Sequence, residues 1–218
     1  MATHLGVHPT SKGASMDEVA LIQAAVQGDL TAFNRLVLAY QEIAFNVAYR
    51  MLDDPDAAED ATQTAFISAY RNLKSYRGGS FRAWVLRMVT NTCYDELRRR
   101  KRRPVVSLEP VDDETSEEIE SPRWLADEGP GPEDQLETAE LERAIQRCIN
   151  GLPEDFRSVI LLVDVQGLDY QEAAEITRTP LGTVKSRLAR ARLKMRDCLH
   201  GIGELLPSQF RLDDEGSA

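Results

Sequence analysis

Residues 168–199 constrain the fold more than any other stretch, because they predict a short helix, a tight turn and a longer basic helix. Asp169 is followed three residues later by Glu172, which is the spacing of a capping box at a helix start. Thr179 and Pro180 then provide an N-cap and a first helical residue for the second helix. Two helices joined in this way are typical of the helix-turn-helix, whose second helix enters the major groove of DNA.

The second predicted helix has an apolar face and a basic face. Apolar residues recur at alternating spacings of three and four, which predicts one buried stripe, formed by Leu181, Val184, Leu188, Ala191 and Met195. The other face provides candidate contacts to base edges, namely Thr183, Ser186, Arg187 and Arg190, and Lys185, Arg192 and Lys194 flank them as candidate contacts to phosphates. The alternative is a solvated basic helix that packs in a bundle without contacting DNA.

Charge is distributed unevenly along the chain. The formal net charge of −10 argues against DNA binding, yet residues 82–103 and 178–198 each carry a net charge of +6. Residues 104–140, between them, carry a net charge of −12. We therefore predict two basic modules joined by a flexible acidic linker at residues 104–132, which either associates with the basic modules or acts as a solvated spacer.

Cysteine usage and hydropathy exclude several classes of protein. The three cysteines are far apart and form no CxxC pair, which predicts neither a disulfide framework nor a zinc site. Cys148 and Cys198 are interpreted as small core residues. No apolar run approaches the roughly 18 residues of a membrane span, and residues 1–15 lack the apolar core of a signal peptide. We expect a cytoplasmic protein without membrane insertion, metal or cofactor.

Residues 16–103 predict a first module of four helices. The second helix, at residues 30–52, carries a core stripe of Phe33, Leu36, Val37, Tyr40, Ile43, Ala44, Val47 and Met51. Asp54 caps the third helix with Pro55 at its first position, and its later stripe is Phe66, Ala69, Tyr70 and Leu73.

A glycine-containing loop and a basic helix complete this module. Residues 74–80 carry Tyr76 and a glycine pair, so the backbone can approach a ligand closely. The fourth helix, at residues 81–103, should bury Phe81, Val85, Met88, Val89 and Thr92, and its other face carries Asn91, Tyr94, Asp95 and Arg98. Aromatic residues beside a basic run are typical of single-strand nucleic-acid binding; the alternative is a solubilising tail.

The remaining segments define the second module and the tails. Residues 133–200 form the second module, in which helices at 133–150 and 153–165 precede the helix-turn-helix. We expect residues 1–15 to form a disordered tail, with Met16 as an alternative start, and residues 201–218 to form a C-terminal tail. The predicted fold is all-α, with two modules of four helices each.

Four segments carry a family resemblance. DPDAAEDATQTAF, FRAWVLRMVTNTCYDELRRRKRR, GLPEDFRSVILLVDVQGLDYQEAAEI and PLGTVKSRLARAR together resemble bacterial sigma factors of the extracytoplasmic-function (ECF) group of the sigma-70 family. The resemblance covers both modules and leaves out the tail and linker. It implies a promoter-specificity subunit that is not an enzyme, with core RNA polymerase, promoter DNA and an anti-sigma factor as partners.

The resemblance also implies roles for individual residues. Asp60, Gln63 and Phe66 would meet the polymerase, although burial of Phe66 in the core would explain its pattern equally well. Tyr76 and the glycine pair would hold a flipped base, and Asn91, Asp95 and Arg98 would melt the minus-10 element. Lys185, Ser186, Arg187 and Arg190 would recognise the minus-35 element.

Two departures and two rival functions accompany this interpretation. Thr64 follows Gln63 where many relatives carry an acid, and Arg178 replaces the usual turn glycine at a cost of about 1 kcal/mol for positive φ, so we expect a slightly reshaped turn. A dimeric helix-turn-helix regulator would bind a symmetric operator without polymerase. A metal-dependent nuclease would need clustered acids, but Glu59 and Asp60 are adjacent and point about 100° apart on a helix.

Overall fold

A computed structural model describes residues 15–102 and 132–201, and every regular element in these two ranges is helical. The all-α fold predicted from the sequence is confirmed. The chain divides into two compact units inside its fourth helix, between Cys93 and Tyr94. The predicted linker and both predicted tails lie outside the described residues except at their edges. Among the described helices, none is long and apolar enough to cross a bilayer.

The first unit contains α1 (Ser15–Val26), α2 (Leu30–Leu52), α3 (Pro55–Asn72), a 3-10 turn (Leu73–Ser75) and the first part of α4 (Phe81–Arg102). Short polar side chains begin two of these helices. The Asp29 carboxylate accepts hydrogen bonds from the backbone N–H groups of Thr31 and Ala32, at 2.8 and 3.1 Å. The Asp54 carboxylate accepts one from Ala57 at 3.0 Å, with Pro55 next to it in the first turn, as predicted.

Packing of α2 against α3 forms the core of this unit. Of the predicted α2 stripe, Leu36, Ala44, Val47 and Met51 are at most 2% exposed and Phe33 is buried as well. The other three predicted positions are only half-buried, namely Val37, Tyr40 and Ile43. On α3 the buried face consists mainly of alanines at helical spacing, namely Ala58, Ala61, Ala65 and Ala69. Small side chains at a helix contact let the two axes approach closely. Tyr70 was predicted to belong to the buried stripe, but this prediction is wrong, since Tyr70 is 42% exposed.

The N-terminal part of α4 completes the first core. Phe81, Val85 and Val89 are buried as predicted, whereas Met88 and Thr92 are only half-buried. Leu86 and Cys93 are buried as well, at 1% and 0% exposure, although the sequence analysis placed neither in the stripe. The buried face of α4 is therefore rotated slightly from the predicted one.

The second unit contains the remainder of α4, α5 (Pro132–Asn150), α6 (Glu154–Ile160), α7 (Tyr170–Thr177) and α8 (Leu181–His200). A single helix was predicted at residues 153–165, but its last turn, Leu161–Val165, widens into a π-helix. The N–H of Gln166 accordingly donates to the carbonyl of Leu161 at 2.9 Å. The core-facing side chains of α6 and of the π-helix are buried, with Val159, Leu161 and Leu162 at most 1% exposed.

A disulfide joins Cys148 of α5 to Cys198 of α8. The prediction that these cysteines are unbonded core residues is therefore wrong. They are 50 residues apart in sequence, and only the packing of α5 against α8 brings their Cα atoms to 5.7 Å. That separation falls within the usual range for a disulfide. Cys148 is buried, but Cys198 is exposed.

Candidate nucleic-acid interfaces

The start of α7 is fixed by the predicted capping box. The N–H of Glu172 donates to the Asp169 carboxylate at 2.8 Å, and the Glu172 carboxylate accepts from the N–H of Asp169 at 3.0 Å. Two donors that have no partner within the helix are thereby satisfied. The prediction is confirmed, and α7 enters the turn from a fixed position.

Arg178 takes the place of the usual glycine in the turn between α7 and α8. Its φ of 53° and ψ of 42° are left-handed, and its N–H donates to the carbonyl of Ala174. The arginine therefore adopts the conformation that a glycine would adopt, at a cost in strain that the packing of the two helices offsets.

The start of α8 differs from the prediction. Thr179 does not cap the helix, because its hydroxyl is hydrogen-bonded to that of Thr177 at 2.9 Å. Pro180 is the residue before the first turn, with an extended ψ of 145°, and its carbonyl accepts the N–H groups of Thr183 and Val184 at 2.8 and 3.1 Å. The proline, rather than the threonine, thus sets the start of α8.

Three buried residues support α8 from beneath. Val184, Leu188 and Ala191 are at most 2% exposed, as the predicted stripe requires. Leu181 and Met195, at the two ends of the stripe, are respectively 37% exposed and half-buried, so the prediction that Leu181 is buried is wrong. Leu181 is the first residue of the helix and extends beyond the packed part of its face.

The opposite face of α8 carries most of the predicted base-contacting residues at the surface. Lys185, Ser186 and Arg190 are exposed, and Thr183 is half-buried. The Ser186 hydroxyl donates to the carbonyl of Thr183 at 3.0 Å. The structure therefore places Thr183, Ser186 and Arg190 along one accessible face of α8 and Lys185 on its flank.

Arg187 differs from these four because it is held by an acid of α6. Its guanidinium donates to the Asp155 carboxylate at 2.5 Å, and its side chain is only 23% exposed. To contact a base, Arg187 would first have to leave Asp155. Sequence analysis missed this pair because the two residues are 32 positions apart.

A second arginine of α8 attaches to the π turn. Arg192 donates two hydrogen bonds to Asp164, at 2.9 and 2.6 Å. This contact with Asp164 raises the pKa of Arg192 above its usual range. The pairs made by Arg187 and Arg192 hold α8 to α6 and to the π turn that follows α6, so both arginines contribute to the position of α8.

In the first unit, the loop before α4 combines glycine flexibility with aromatic packing. Gly78 and Gly79 both have φ of 92°, a conformation that favours glycine. The Tyr76 hydroxyl donates to the carbonyl of Gly79 at 2.7 Å. The Tyr76 ring lies edge-on to Phe81 and Trp84, with centroid distances of 5.4 and 5.6 Å. The loop thus presents a half-buried aromatic ring that its own backbone holds in place.

An open groove of about 740 Å³ lies between this loop and α1. Tyr76, Gly78 and Gly79 line one side, and Val19 and Ile22 are among the α1 residues on the other. Burial, with a smaller contribution from the Glu18 carboxylate, raises the pKa of Tyr76, so its hydroxyl stays neutral at physiological pH. The groove offers apolar surface, a hydroxyl group and exposed backbone, which suit a planar ring with polar edges.

The predicted residues of α4 are accessible to different degrees. Asp95 and Arg98 are exposed and form an ion pair at 2.8 Å, and Asn91 is half-buried. Within the second unit, the Tyr94 hydroxyl is hydrogen-bonded to that of Ser158 at 2.6 Å, and burial raises the pKa of Tyr94. Tyr94 in this conformation is therefore less available for stacking than Tyr76.

Glu96 partly neutralises the basic end of α4. Its carboxylate accepts hydrogen bonds from Arg99 at 2.7 and 2.9 Å and from Arg100 at 2.9 Å. The hydrogen bond from Arg99, followed by that from Arg100, lowers the pKa of Glu96. The arginines at the end of α4 therefore lie next to a carboxylate that accepts hydrogen bonds from two of them. The net charge of the segment does not reveal this contact.

On α3, the three predicted polymerase-contacting residues differ in burial. Asp60 and Gln63 are exposed, whereas Phe66 is 9% exposed and belongs to the core. Ile67 and Tyr70, at 46% and 42% exposure, continue the spacing of Asp60 and Gln63 along one helix face. We call Asp60, Gln63, Ile67 and Tyr70 the outer face of α3. Sequence analysis missed Ile67 and assigned Tyr70 to the core.

In residues 15–102 and 132–201, no group of three or more His, Cys, Asp or Glu side chains could hold a metal ion.

Both units match known families. Sigma-70 region 2 matches residues 36–103, and sigma-70 region 4 matches residues 142–195. The chain therefore belongs to the sigma-70 family.

Comparison with curated relatives shows that the chain belongs to the ECF group of this family. It is 39% identical over 178 residues to the ECF RNA polymerase sigma-E factor of Escherichia coli (strain K12), which covers 81% of this chain and 91% of that protein. It is 38% identical over 173 residues to the RNA polymerase sigma-H factor of Pseudomonas aeruginosa, covering 79% and 88%. The chain is thus a sigma factor that directs promoter-specific transcription initiation.

Solved structures share the fold. The sigma factor RpoE of Bartonella quintana, solved with the anti-sigma factor NepR, has a TM-score of 0.59 at 24% identity and covers 78% of this chain and 98% of that one. CnrH, solved with the cytosolic domain of CnrY, has a TM-score of 0.58 at 23% identity and covers 85% and 97%. At these identities the likeness concerns the helical architecture.

Proposed function

We propose that α8 recognises the minus-35 promoter element, with Lys185, Ser186 and Arg190 at the bases or phosphates and Thr183 beside them. The observation that carries this proposal is the exposed polar face of α8 above three buried residues, at the end of a capped turn. A preformed helix is what recognition of duplex DNA in the major groove requires. Arg187 contacts the DNA after its ion pair with Asp155 has broken.

The groove beside Tyr76 holds an unpaired base of the melted minus-10 element. On α4, Asn91, Asp95 and Arg98 also contact the melted element, and Tyr94 contacts it after its hydrogen bond to Ser158 breaks. A base removed from the duplex loses stacking worth a few kcal/mol, which an aromatic ring must replace. Tyr76 offers such a ring, with Phe81 and Trp84 behind it. The glycine pair beside it leaves room for the backbone of a single strand.

The outer face of α3 binds core RNA polymerase. Its mixture of exposed apolar and polar side chains is typical of a docking surface. Phe66 supports this face from the core, so its replacement would weaken polymerase binding indirectly.

The functional domains extend over residues 16–103 and 133–200, joined by the acidic linker. The chain acts in the cytoplasm, where the polymerase and promoter are found, and has no catalytic activity of its own. Its resemblance to sigma factors solved with anti-sigma factors supports an anti-sigma factor as a further partner.

Run-off transcription with core polymerase tests the proposal as a whole. The chain should direct transcripts from a promoter that core polymerase alone does not use, and it should be retained by immobilised core. Specific binding to a symmetric operator by the chain alone, without any polymerase dependence, would contradict the proposal.

Variants of α3 test the polymerase surface. Gln63→Ala and Ile67→Ala should weaken binding to core polymerase without lowering the melting temperature, because both side chains are exposed. Glu42→Ala is the control, since Glu42 is exposed in the same unit but on α2, away from the outer face of α3. Equal effects of Glu42→Ala and Gln63→Ala on core binding would remove the outer face from the interface.

A further inference from the structure

The disulfide between Cys148 and Cys198 crosslinks the helix proposed to recognise DNA to α5. Cys148 lies in the buried face of α5 at 3% exposure, and Cys198 lies in the last turn of α8. The third cysteine, Cys93, is buried in α4. The bond therefore links one buried and one exposed residue across a contact between two helices.

Apolar packing holds α8 unequally along its length. Its fully buried residues end at Ala191, after which Leu193 is 49% exposed and Met195 and Leu199 are half-buried. A helix end with few buried side chains opens locally at low cost. The covalent bond to buried Cys148 is therefore the main anchor of the last two turns, whereas the start of α8 depends on Val184 and Leu188.

Exposure also determines how the bond can be broken. A thiolate attacks the Sγ of exposed Cys198, forms a mixed disulfide with it and releases the Cys148 thiolate, which takes up a proton. The second thiol of a dithiol reductant then attacks its own sulfur in the mixed disulfide and releases Cys198. The two electrons come from the dithiol, which leaves as a disulfide.

We propose that Cys148 and Cys198 form a thiol–disulfide exchange site, through which a dithiol reductant of the thioredoxin class releases the C-terminal turns of α8. This inference rests on the proposed function for its setting, since a factor working with RNA polymerase meets a reducing cytosol. Disulfides in that compartment are usually transient or redox-sensing rather than permanent. Reoxidation requires a disulfide oxidant such as glutathione disulfide.

Native alkylation followed by peptide mass mapping tests whether the bond forms and exchanges. The full chain is treated with glutathione disulfide or with dithiothreitol and then with iodoacetamide. Cys198 should be unmodified after oxidation and alkylated after reduction. Full alkylation of Cys198 after both treatments would overturn the proposal.

Limited proteolysis tests where the released structure lies. Trypsin should cleave faster after Lys194 and Arg196 in the reduced chain, while cleavage after Lys185 stays the same, because the start of α8 remains packed. Cys198→Ser should show the fast pattern with and without dithiothreitol, and Cys93→Ala should keep the redox difference of the parent. Identical cleavage rates for oxidised, reduced and Cys198→Ser chains would overturn the proposal.

Thermal melting gives an independent measure. The transition of the second unit should fall by at least about 5 °C on reduction, because the bond closes a long loop, and Cys198→Ser should melt like the reduced parent. Run-off transcription on the same samples separates the two proposals. A redox-dependent melting shift without transcription would overturn the proposed function and leave the exchange site standing, whereas transcription without any shift would overturn the exchange site alone.

Discussion

The helix α8 and the loop before α4 present two kinds of candidate DNA surface. The polar face of α8 is fixed before any ligand binds, by a capping box, three buried residues and the pairs with Asp155 and Asp164. The loop instead has two glycines at positive φ and a half-buried tyrosine over an open groove. A rigid helix matches a duplex of fixed geometry, and an open groove lined by an aromatic ring matches a base that must first leave its stack.

The largest expected effect comes from removing the support of α8. Leu188→Ala should lower the free energy of unfolding of the second unit by about 2 to 5 kcal/mol, because Leu188 is 2% exposed. Binding to the upstream element should weaken in parallel. Chemical denaturation measures the stability, and Leu193→Ala, at an exposed position of the same helix, is the control. A stable Leu188→Ala variant would mean that α8 does not depend on this packing.

Arg190→Ala tests recognition by the exposed face without altering its support. It should cost about 1 to 3 kcal/mol in binding to the cognate upstream element and less on a scrambled one, as expected for a base contact. Lys194→Ala should weaken binding to both sequences alike, since it is placed for a phosphate. Fluorescence anisotropy with holoenzyme compares the two variants. Equal losses on both sequences for Arg190→Ala would assign Arg190 to phosphate binding.

Asp169→Ala removes the capping box and loosens the entry to the turn. The expected loss is about 1 kcal/mol of stability, because the N–H of Glu172 loses its acceptor. Chemical denaturation measures this loss of stability. The control is Glu175→Ala, which changes an exposed side chain later in α7. A change no larger than that of the control would show that the capping box does not contribute to the position of α7 and α8.

The smallest effect belongs to the basic end of α4. Hydrogen bonds from Arg99 and Arg100 lower the pKa of Glu96 from its ordinary value of 4.5, so the carboxylate stabilises the folded chain above that value. This contribution is lost as the pH falls through the lowered pKa. Glu96→Gln should therefore cost a few tenths of a kcal/mol at neutral pH, and the difference in melting temperature from the parent should shrink under acid. A constant difference between pH 7 and pH 3 would exclude this carboxylate as the cause.

Local chemistry explains what the sequence could predict. The caps at Asp54 and Asp169 and the stripes of α2 and α8 depend on residues within a few positions of each other. The structure contains both caps and most of each stripe, apart from three half-buried positions of α2 and the two ends of the α8 stripe. The contacts that were missed join distant residues, such as Arg187 with Asp155, Arg192 with Asp164, and Cys148 with Cys198. Their positions depend on how α5, α6 and α8 pack. The exact start of α8 was missed for a local reason, since Thr179 had Thr177 as a competing partner.

The difference between the two surfaces is tested most directly by open-complex formation on duplex and pre-melted promoters. Holoenzymes carrying Tyr76→Ala or Arg190→Ala are compared with the parent by permanganate reactivity of unpaired thymines. On duplex DNA both variants should open less promoter than the parent. On a promoter whose minus-10 region is already melted, the Tyr76→Ala holoenzyme should form as much open complex as the parent, whereas the Arg190→Ala holoenzyme should not. The reason is that only Tyr76 is proposed to act on unpaired bases. Equal rescue of both variants, or of neither, would contradict the assignment of duplex recognition to α8 and of unpaired bases to the loop.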